Sequence, residues 1–383
     1  MARGSVRQRG TTWTVVLDER RADGRRRQRS KGGFRTRKDA ERYLREQLVS
    51  LDAGTYTAPH KLTVATYLAE QWLPAMQARG LRPSTLERYE DHVRCAITST
   101  LGGLPLQGLM PTHLNKLYGD LRTAGRAPKT IRNIHGVLSK ALADAERWGL
   151  VGRNAARLAD VPAVARPKLR VWSPEQTRTF LAAVDDNRLF AAWLLAATTG
   201  MRRGELLGLR WEDIDLDNGV VRVTQARVRA RNQVVAGEPK TAHGRRTIAL
   251  DPTTVAALRQ YRKRQTEERL AAGPHYADSG LAFTMPGGTP IHPNRFSLWF
   301  RRHVRAAGLP AIRLHDMRHS YATAGLAAGI PPKVMSERLG HATVAFTLDT
   351  YTSALPAMDK SAADMVAGLI LGTEEVGGSR PSR

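Results

Sequence analysis

The stretch RLHDMRHSYATAGL, residues 313–326, concentrates side chains that could do chemistry. His315 and His319 are four residues apart, so on a helix they would share one face. The segment HDMRH is therefore a variant of the zinc-binding pattern H-E-x-x-H. Arg318 favours a different interpretation, a phosphate site, because a guanidinium is a planar and permanently charged donor. The third interpretation is an ordinary polar first turn of a surface helix.

Other segments carry residues of the same kinds. In chain order they are Arg202, just beyond a predicted helix end at Thr199-Gly200; Lys240, before a predicted strand; His341, after Gly340; and Tyr351, ten residues later. Each alone has an ordinary explanation. Arg202 could cap a helix, Lys240 could be solvated, and Tyr351 could be a half-buried packing residue.

Charge narrows the class of partner. The 383 residues include 60 Lys and Arg against 35 Asp and Glu, a net charge of +25 with a pI near 11.0. Such an excess of positive charge favours a polyanionic partner, most often nucleic acid.

Cys95 is the only cysteine, which excludes an intrachain disulfide and a cysteine-based zinc finger. The N-terminus lacks the apolar segment of a secretory signal, and no apolar run is long enough to span a bilayer, so we expect an intracellular protein.

The elements that must position these side chains divide the chain into several domains. Residues 1–58 predict a basic α+β module of three strands and a helix. The first strand bears Trp13, Val15 and Leu17 on one face, and a turn at Asp23-Gly24 leads into a basic second strand. A third short strand lies near Gly33-Phe34, and Thr36 caps the helix. Residues 59–160 predict an all-α domain, with a capping box at Ser84-x-x-Glu87 and a helix running from Pro128 to Gly149.

Residues 161–172 contain two prolines and no helical period, which is typical of a linker. A second capping box, from Ser173 to Gln176, opens an α+β domain over residues 173–355. There, helices surround one small sheet made of a hairpin over residues 214–223 and a strand at 245–250. Residues 356–383 predict a terminal helix and a polar tail. The fold class is therefore multidomain and mainly α, with small β-sheets.

Taken together and in this order, the segments TGMRRGELLGL, PKT…RRTI, LHDMRHSYAT, LGHATV and TLDTYTSALP resemble the tyrosine recombinase (phage integrase) family. The resemblance covers nearly the whole chain. It implies an arm-type DNA-binding module at residues 1–58, a core-binding domain at 59–160 and a catalytic domain at 173–355. It also implies a site-specific recombinase that cuts and rejoins DNA through a covalent 3′-phosphotyrosine, as the integrase of a phage or mobile element.

The resemblance assigns six catalytic residues: Arg202, Lys240, His315, Arg318, His341 and Tyr351. Two arginines would clamp the phosphate oxygens, Tyr351 would be the nucleophile, His315 the base and Lys240 the general acid. His341 would donate a further hydrogen bond to the phosphate. Glu205 and His319 match the motifs as supports for these side chains, and Asp316 is expected in the first turn of its helix, where the dipole favours a carboxylate.

The phosphotyrosine chemistry that the resemblance implies needs neither metal nor cofactor. The zinc interpretation of HDMRH is therefore less favoured. Arg318 beside a dication is unfavourable, Asp316 is shorter than the catalytic Glu of that pattern, and no third ligand is evident. The partners implied are double-stranded attachment sites of core and arm type, a homotetramer on DNA, and a host bending protein and excisionase. We expect no membrane, and a location in the bacterial cytoplasm with the nucleoid.

Three alternatives stay open at this point. They are a non-catalytic sequence-specific DNA-binding protein built from the same domains, a recombinase for chromosome-dimer or plasmid resolution, and a metal-dependent nuclease. The terminal helix has an apolar stripe of Met358, Met365, Val366, Leu369 and Ile370. It could pack on its own domain or dock into a neighbouring protomer.

Overall fold

The structure is a computed structural model that describes residues 3–20, 26–52, 60–165, 169–230, 233–237, 244–341, 343–351, 367 and 370–371. The chain forms two compact units, Met1–Arg166 and Pro167–Arg383. Mainly α-helical structure is combined with small antiparallel sheets, as the sequence predicted. Within the described residues, no helix is both long and apolar enough to cross a membrane.

The first unit begins with an antiparallel sheet in the order β1-β2-β3, followed by a helix: β1 Arg3–Arg9, β2 Thr12–Arg20, β3 Arg26–Phe34 and α1 Arg37–Asp52. Val15 and Leu17 are buried, as predicted. Thr36 caps α1, because its Oγ1 accepts a hydrogen bond from the Asp39 amide at 3.2 Å. The prediction missed β1 and divided β3 into two strands; the predicted Asp23-Gly24 turn lies outside the described residues.

The rest of the first unit is helical. Its elements are α2 Val64–Thr66, a π-helical turn Tyr67–Trp72, α3 Leu73–Ala78, α4 Pro83–His92, a π-helical turn Val93–Ile97, α5 Thr98–Leu101, α6 Pro111–Thr123 and α7 Pro128–Arg147. Their apolar faces form one core. The capping box predicted at Ser84 is wrong: α4 begins one residue earlier, at Pro83, with Arg82 at the N-cap position and no side-chain cap. Proline fixes φ and is favoured at the first helical position, so it sets this helix start.

The second unit contains helices around two small sheets, where the sequence predicted one. Its elements are α8 Pro174–Ala183, α9 Phe190–Thr199, α10 Arg203–Gly208, β4 Ile214–Asp215, β5 Val220–Val223, β6 Ala226–Ala230, β7 Gln233–Gly237, β8 Arg246–Ala249, α11 Pro252–Ala272, α12 Pro293–Ala306, α13 Leu314–Ala327, α14 Pro332–Leu339 and α15 Val344–Tyr351. The strands form one sheet in the order β4-β5-β8 and a separate hairpin, β6-β7. The sequence analysis missed the extra hairpin, whose two strands are only five residues long each.

Two features of this unit agree with the sequence analysis and one extends it. The capping box from Ser173 to Gln176 forms, with reciprocal hydrogen bonds of 3.0 and 3.2 Å. The β4–β5 hairpin pairs in the predicted region. Trp172, at the end of the predicted linker, is buried in the core of the second unit, and its amide donates to Ser320 Oγ at 2.8 Å. Most of the predicted C-terminal helix lies outside the described residues.

Candidate active site

The first part of the site is the sharp junction between α9 and α10. Gly200 ends α9 in the left-handed region, with φ +63°. A Cβ there would lie 2.7 Å from the Tyr321 ring and 2.8 Å from Leu339 Cδ2, so only glycine fits this approach. The turn delivers Arg202 to the N-cap position of α10. Arg202 therefore begins a helix, rather than capping the end of one.

Close packing holds α10 in place behind this turn. A Cβ on Gly204 would lie 2.8 Å from the backbone oxygen of Arg227 on β6. Because that neighbour is a backbone atom in a paired strand, it cannot move aside as a flexible side chain could. The missed hairpin therefore supports the helix that follows Arg202.

The helix α13 carries the residues of the opening segment. The rings of His315 and His319 lie 5.0 Å apart, edge to face, as their spacing predicted. Asp316 accepts a hydrogen bond from the Arg313 amide at 2.8 Å in the first turn and is paired with the Arg313 guanidinium. Arg318 is only 2% exposed; its Nη1 donates to Gly200 O at 2.9 Å and its Nη2 to Leu339 O at 2.6 Å.

Arg202 reaches the same turn from another side. Its Nη2 donates to Gly340 O at 3.0 Å, and its Nη1 donates to Glu205 Oε1 at 2.7 Å. The two arginines are 116 positions apart in the chain, yet they bind the carbonyls of two consecutive residues, Leu339 and Gly340. The turn that receives them leads directly into His341. The structure thus brings Arg202, Arg318 and His341 together.

Glu205 is a buried carboxylate between two arginines. It is 2% exposed and accepts hydrogen bonds from the Arg202 amide at 2.9 Å and from Arg246 Nη2 at 2.8 Å. Burial by itself would raise the pKa of Glu205, but the hydrogen bond and charge of Arg246, followed by the charge of Arg202, bring this pKa below its ordinary value. The carboxylate is therefore ionised at neutral pH and orients Arg202.

Arg246 is the residue of this cluster that the sequence reasoning missed. Its side chain is 7% exposed, and Nε donates to Arg338 O at 2.6 Å. Arg246 lies within the RRTI segment of the sequence, but the burial of Glu205, which requires a cationic partner, is visible only in the structure.

The two histidines are neutral in the free protein. Burial, followed by the positive charges of Arg318 and Arg202, lowers the pKa of His341 to about 3. His341 Nδ1 lies 2.8 Å from Thr347 Oγ1, which fixes its ring. The His315 ring keeps contact with solvent, but neighbouring protein atoms displace much of its hydration and, with the charges of His319 and Arg318, lower its pKa to about 4. A neutral imidazole can accept a proton.

The remaining two predicted site residues are less fully described. The backbone of Tyr351 ends α15, whose other residues include Thr347, the partner of His341. Lys240 lies outside the described residues. In the described part of the chain, no cluster of three His, Cys, Asp or Glu side chains could hold a metal ion.

Comparison with known proteins identifies the class. Residues 170–358 match the model of the phage integrase family, and residues 5–51 match an arm DNA-binding domain. A tyrosine recombinase XerC-like protein of Caldanaerobacter subterraneus subsp. tengcongensis is 28% identical over 356 residues, covering 88% of this chain and 91% of the relative. The integrase of Mycobacterium phage L5 is 26% identical over 343 residues, covering 86% and 88%.

A solved structure of the Tn1549 transposon integrase, in complex with transposon right end DNA, superposes with a TM-score of 0.66 at 25% identity. The match covers 79% of this chain and 100% of that one. The chain belongs to the tyrosine recombinase (phage integrase) family. It is a site-specific DNA recombinase, an enzyme that cleaves and rejoins DNA strands.

Proposed function

We propose that this recombinase integrates and excises a phage or integrative element, using Tyr351 as its nucleophile. The observation that carries the assignment is the convergence of Arg202 and Arg318 on the carbonyls of Leu339 and Gly340, directly before His341. A guanidinium has five N–H donors, and the hydrogen bonds of Arg202 to Glu205 and Gly340 occupy two of them. The others can stabilise charge on the non-bridging oxygens of a phosphodiester.

In the cleavage step, the Tyr351 oxygen attacks the scissile phosphorus and the bond from phosphorus to the 5′ oxygen breaks. The products are a 3′-phosphotyrosyl enzyme and a free 5′-hydroxyl. His315, neutral at pH 7, accepts the phenolic proton, and Lys240 protonates the departing oxygen. His341 donates a hydrogen bond to the phosphate. Rejoining reverses these steps, because the ester retains the bond energy, and it requires neither ATP nor metal.

The arm module supports integration over chromosome-dimer resolution. Residues 1–47 contain 15 basic and 6 acidic residues, and the match to an arm DNA-binding model falls in this region. We assign arm-site binding to residues 1–58, core-site binding to 59–160, a linker to 161–172, catalysis to 173–355 and a terminal helix and tail to 356–383. The enzyme acts as a homotetramer on core and arm sites, in the bacterial cytoplasm at the nucleoid. A host bending protein and an excisionase are its proposed accessory partners.

The test uses a nicked suicide substrate, from which the cleaved strand diffuses away. Wild type should accumulate a covalent protein–DNA adduct that survives EDTA, and Tyr351→Phe should form none while it binds the same DNA. Tyr276→Phe, a change of the same kind elsewhere in the second unit, should leave the adduct unchanged. An adduct that persists in Tyr351→Phe would refute the nucleophile, and loss in EDTA that magnesium restores would refute the metal-free step.

A further inference from the structure

The C-terminus of α14 has an unusual set of hydrogen-bond partners. The last carbonyls of a helix lack partners within that helix and carry the negative end of its dipole. Here the amides of Gly340 and His341 donate to Glu337 O and Ser336 O, both at 3.0 Å, in the Schellman arrangement. Gly340 adopts φ +65°, as this motif requires.

The next three carbonyls each accept from a different arginine. Arg338 O accepts from Arg246 Nε at 2.6 Å, Leu339 O from Arg318 Nη2 at 2.6 Å, and Gly340 O from Arg202 Nη2 at 3.0 Å. We call these three consecutive carbonyls the α14 carbonyl row. Three separate elements of the second unit (β8, α13 and the α9–α10 turn) are thus fixed to one helix end.

Two of these arginines face the phosphate in the proposed mechanism, but the third has a different environment. Arg246 donates to Arg338 O, to Gly244 O at 3.1 Å and to Glu205 Oε2 at 2.8 Å. Its donors therefore point in three directions into the protein. Because Glu205 in turn binds Arg202, the chain of contacts runs from Arg246 to both Arg202 and the α14 carbonyl row.

We propose that Arg246 is a positioning residue for strand cleavage: it fixes the α14 carbonyl row and Glu205, and through them the two arginines that bind the phosphate. The proposal rests on the proposed roles of Arg202 and Arg318. Lysine could not replace Arg246, since an ammonium group lacks the fork that reaches a carboxylate and a carbonyl on different elements at once. Loss of Arg246 should therefore slow cleavage without weakening the binding of core DNA.

The first experiment uses the DNA-free protein and does not depend on catalysis. Hydrogen exchange of a peptide spanning residues 336–343 reports the Gly340 and His341 amides. Arg246→Gln and Arg246→Lys should both speed exchange in this peptide. The matched control is Arg222→Gln, because Arg222 lies exposed on β5, paired with β8 in the same sheet, and its loss removes the same charge. Unchanged exchange in both Arg246 variants would overturn the proposal.

The second experiment measures adduct formation at saturating suicide substrate, together with the affinity for core DNA. Arg246→Gln should lower the cleavage rate by up to about 100-fold, the loss that a misplacement of catalytic groups by about an ångström can cause, while the affinity for core DNA changes little. The cleavage rate of Arg246→Lys should lie between those of wild type and Arg246→Gln. The double variant Glu205→Gln/Arg246→Gln should cleave no more slowly than the slower of the two single variants.

The outcomes separate the two proposals. A wild-type protein that forms no adduct contradicts the proposed function, whatever Arg246 does to hydrogen exchange. A wild-type protein that cleaves, with Arg246→Gln equally fast, overturns the positioning role alone. A rate loss that matches the unfolded fraction measured by circular dichroism would also overturn it, because Arg246 would then serve stability only.

Discussion

Replacing Glu205 by glutamine should destabilise the second unit strongly. Both carboxylate oxygens accept hydrogen bonds: Oε1 from Arg202 Nη1, and Oε2 from the Arg202 amide and Arg246 Nη2. Glutamine turns one oxygen into an NH₂ group, which would face donors instead of accepting from them. It also removes the one carboxylate that, among the described residues, is paired with the buried Arg246 guanidinium.

The expected magnitude follows from this burial. Removing one partner of a buried ion pair costs about 3–5 kcal/mol, because the other charge stays desolvated. For a unit the size of Pro167–Arg383, the lower figure corresponds to a fall in melting temperature of about 6–12 °C. Since the pKa of Glu205 is lowered on folding, its stabilisation is present above the ordinary carboxyl pKa and is lost as the pH falls towards the folded value.

Calorimetry of the two variants Glu205→Gln and Glu175→Gln tests the magnitude. Glu175 pairs with Arg178 on the surface, where the side chains are 68% and 70% exposed, so its loss should leave the melting temperature nearly unchanged. If the Glu205→Gln protein had the same melting temperature as this control, the buried carboxylate would not be balancing the charge of the two arginines. The reasoning would then be wrong.

Three further predictions concern other parts of the chain. The pKa values of His315 and His341 fall to about 4 and about 3 on folding, so as the pH is lowered the unfolded chain takes up protons before the folded one. The melting temperature should therefore decline below about pH 6.5, and His341→Gln should make that decline less steep. Deleting residues 1–58 should abolish arm-site binding in a gel-shift assay while core suicide cleavage continues; unchanged arm binding would require another role for the module. Truncation after Leu355 should leave single-site binding intact but impair recombination of two sites if the terminal helix docks into a neighbour; wild-type recombination would contradict trans docking.

The sequence by itself determined the class of protein and much of the local structure. Proline fixes φ near its helical value, so the helix starts at Pro128 and Pro174 could be predicted from local chemistry. Glycine permits φ > 0, so the left-handed helix end at Gly200 could be predicted in the same way. The alternation of apolar residues gave β2. The strand β1 has a single large apolar residue, Val6, and β6 and β7 are only five residues long, so these three strands escaped. The motifs also supplied the candidate catalytic residues, by type and order.

Only the tertiary structure decided how these residues are held. Arg202, Arg246 and Arg318 meet at one helix end because three elements pack around α14, and such long-range contacts leave no periodic pattern in a chain. The lowered pKa values of His315 and His341 are likewise a tertiary property, since they depend on the atoms and charges that folding gathers around each ring. Residue types set the chemistry that is available; packing sets the hydration, the charge state and the geometry in which it can be used.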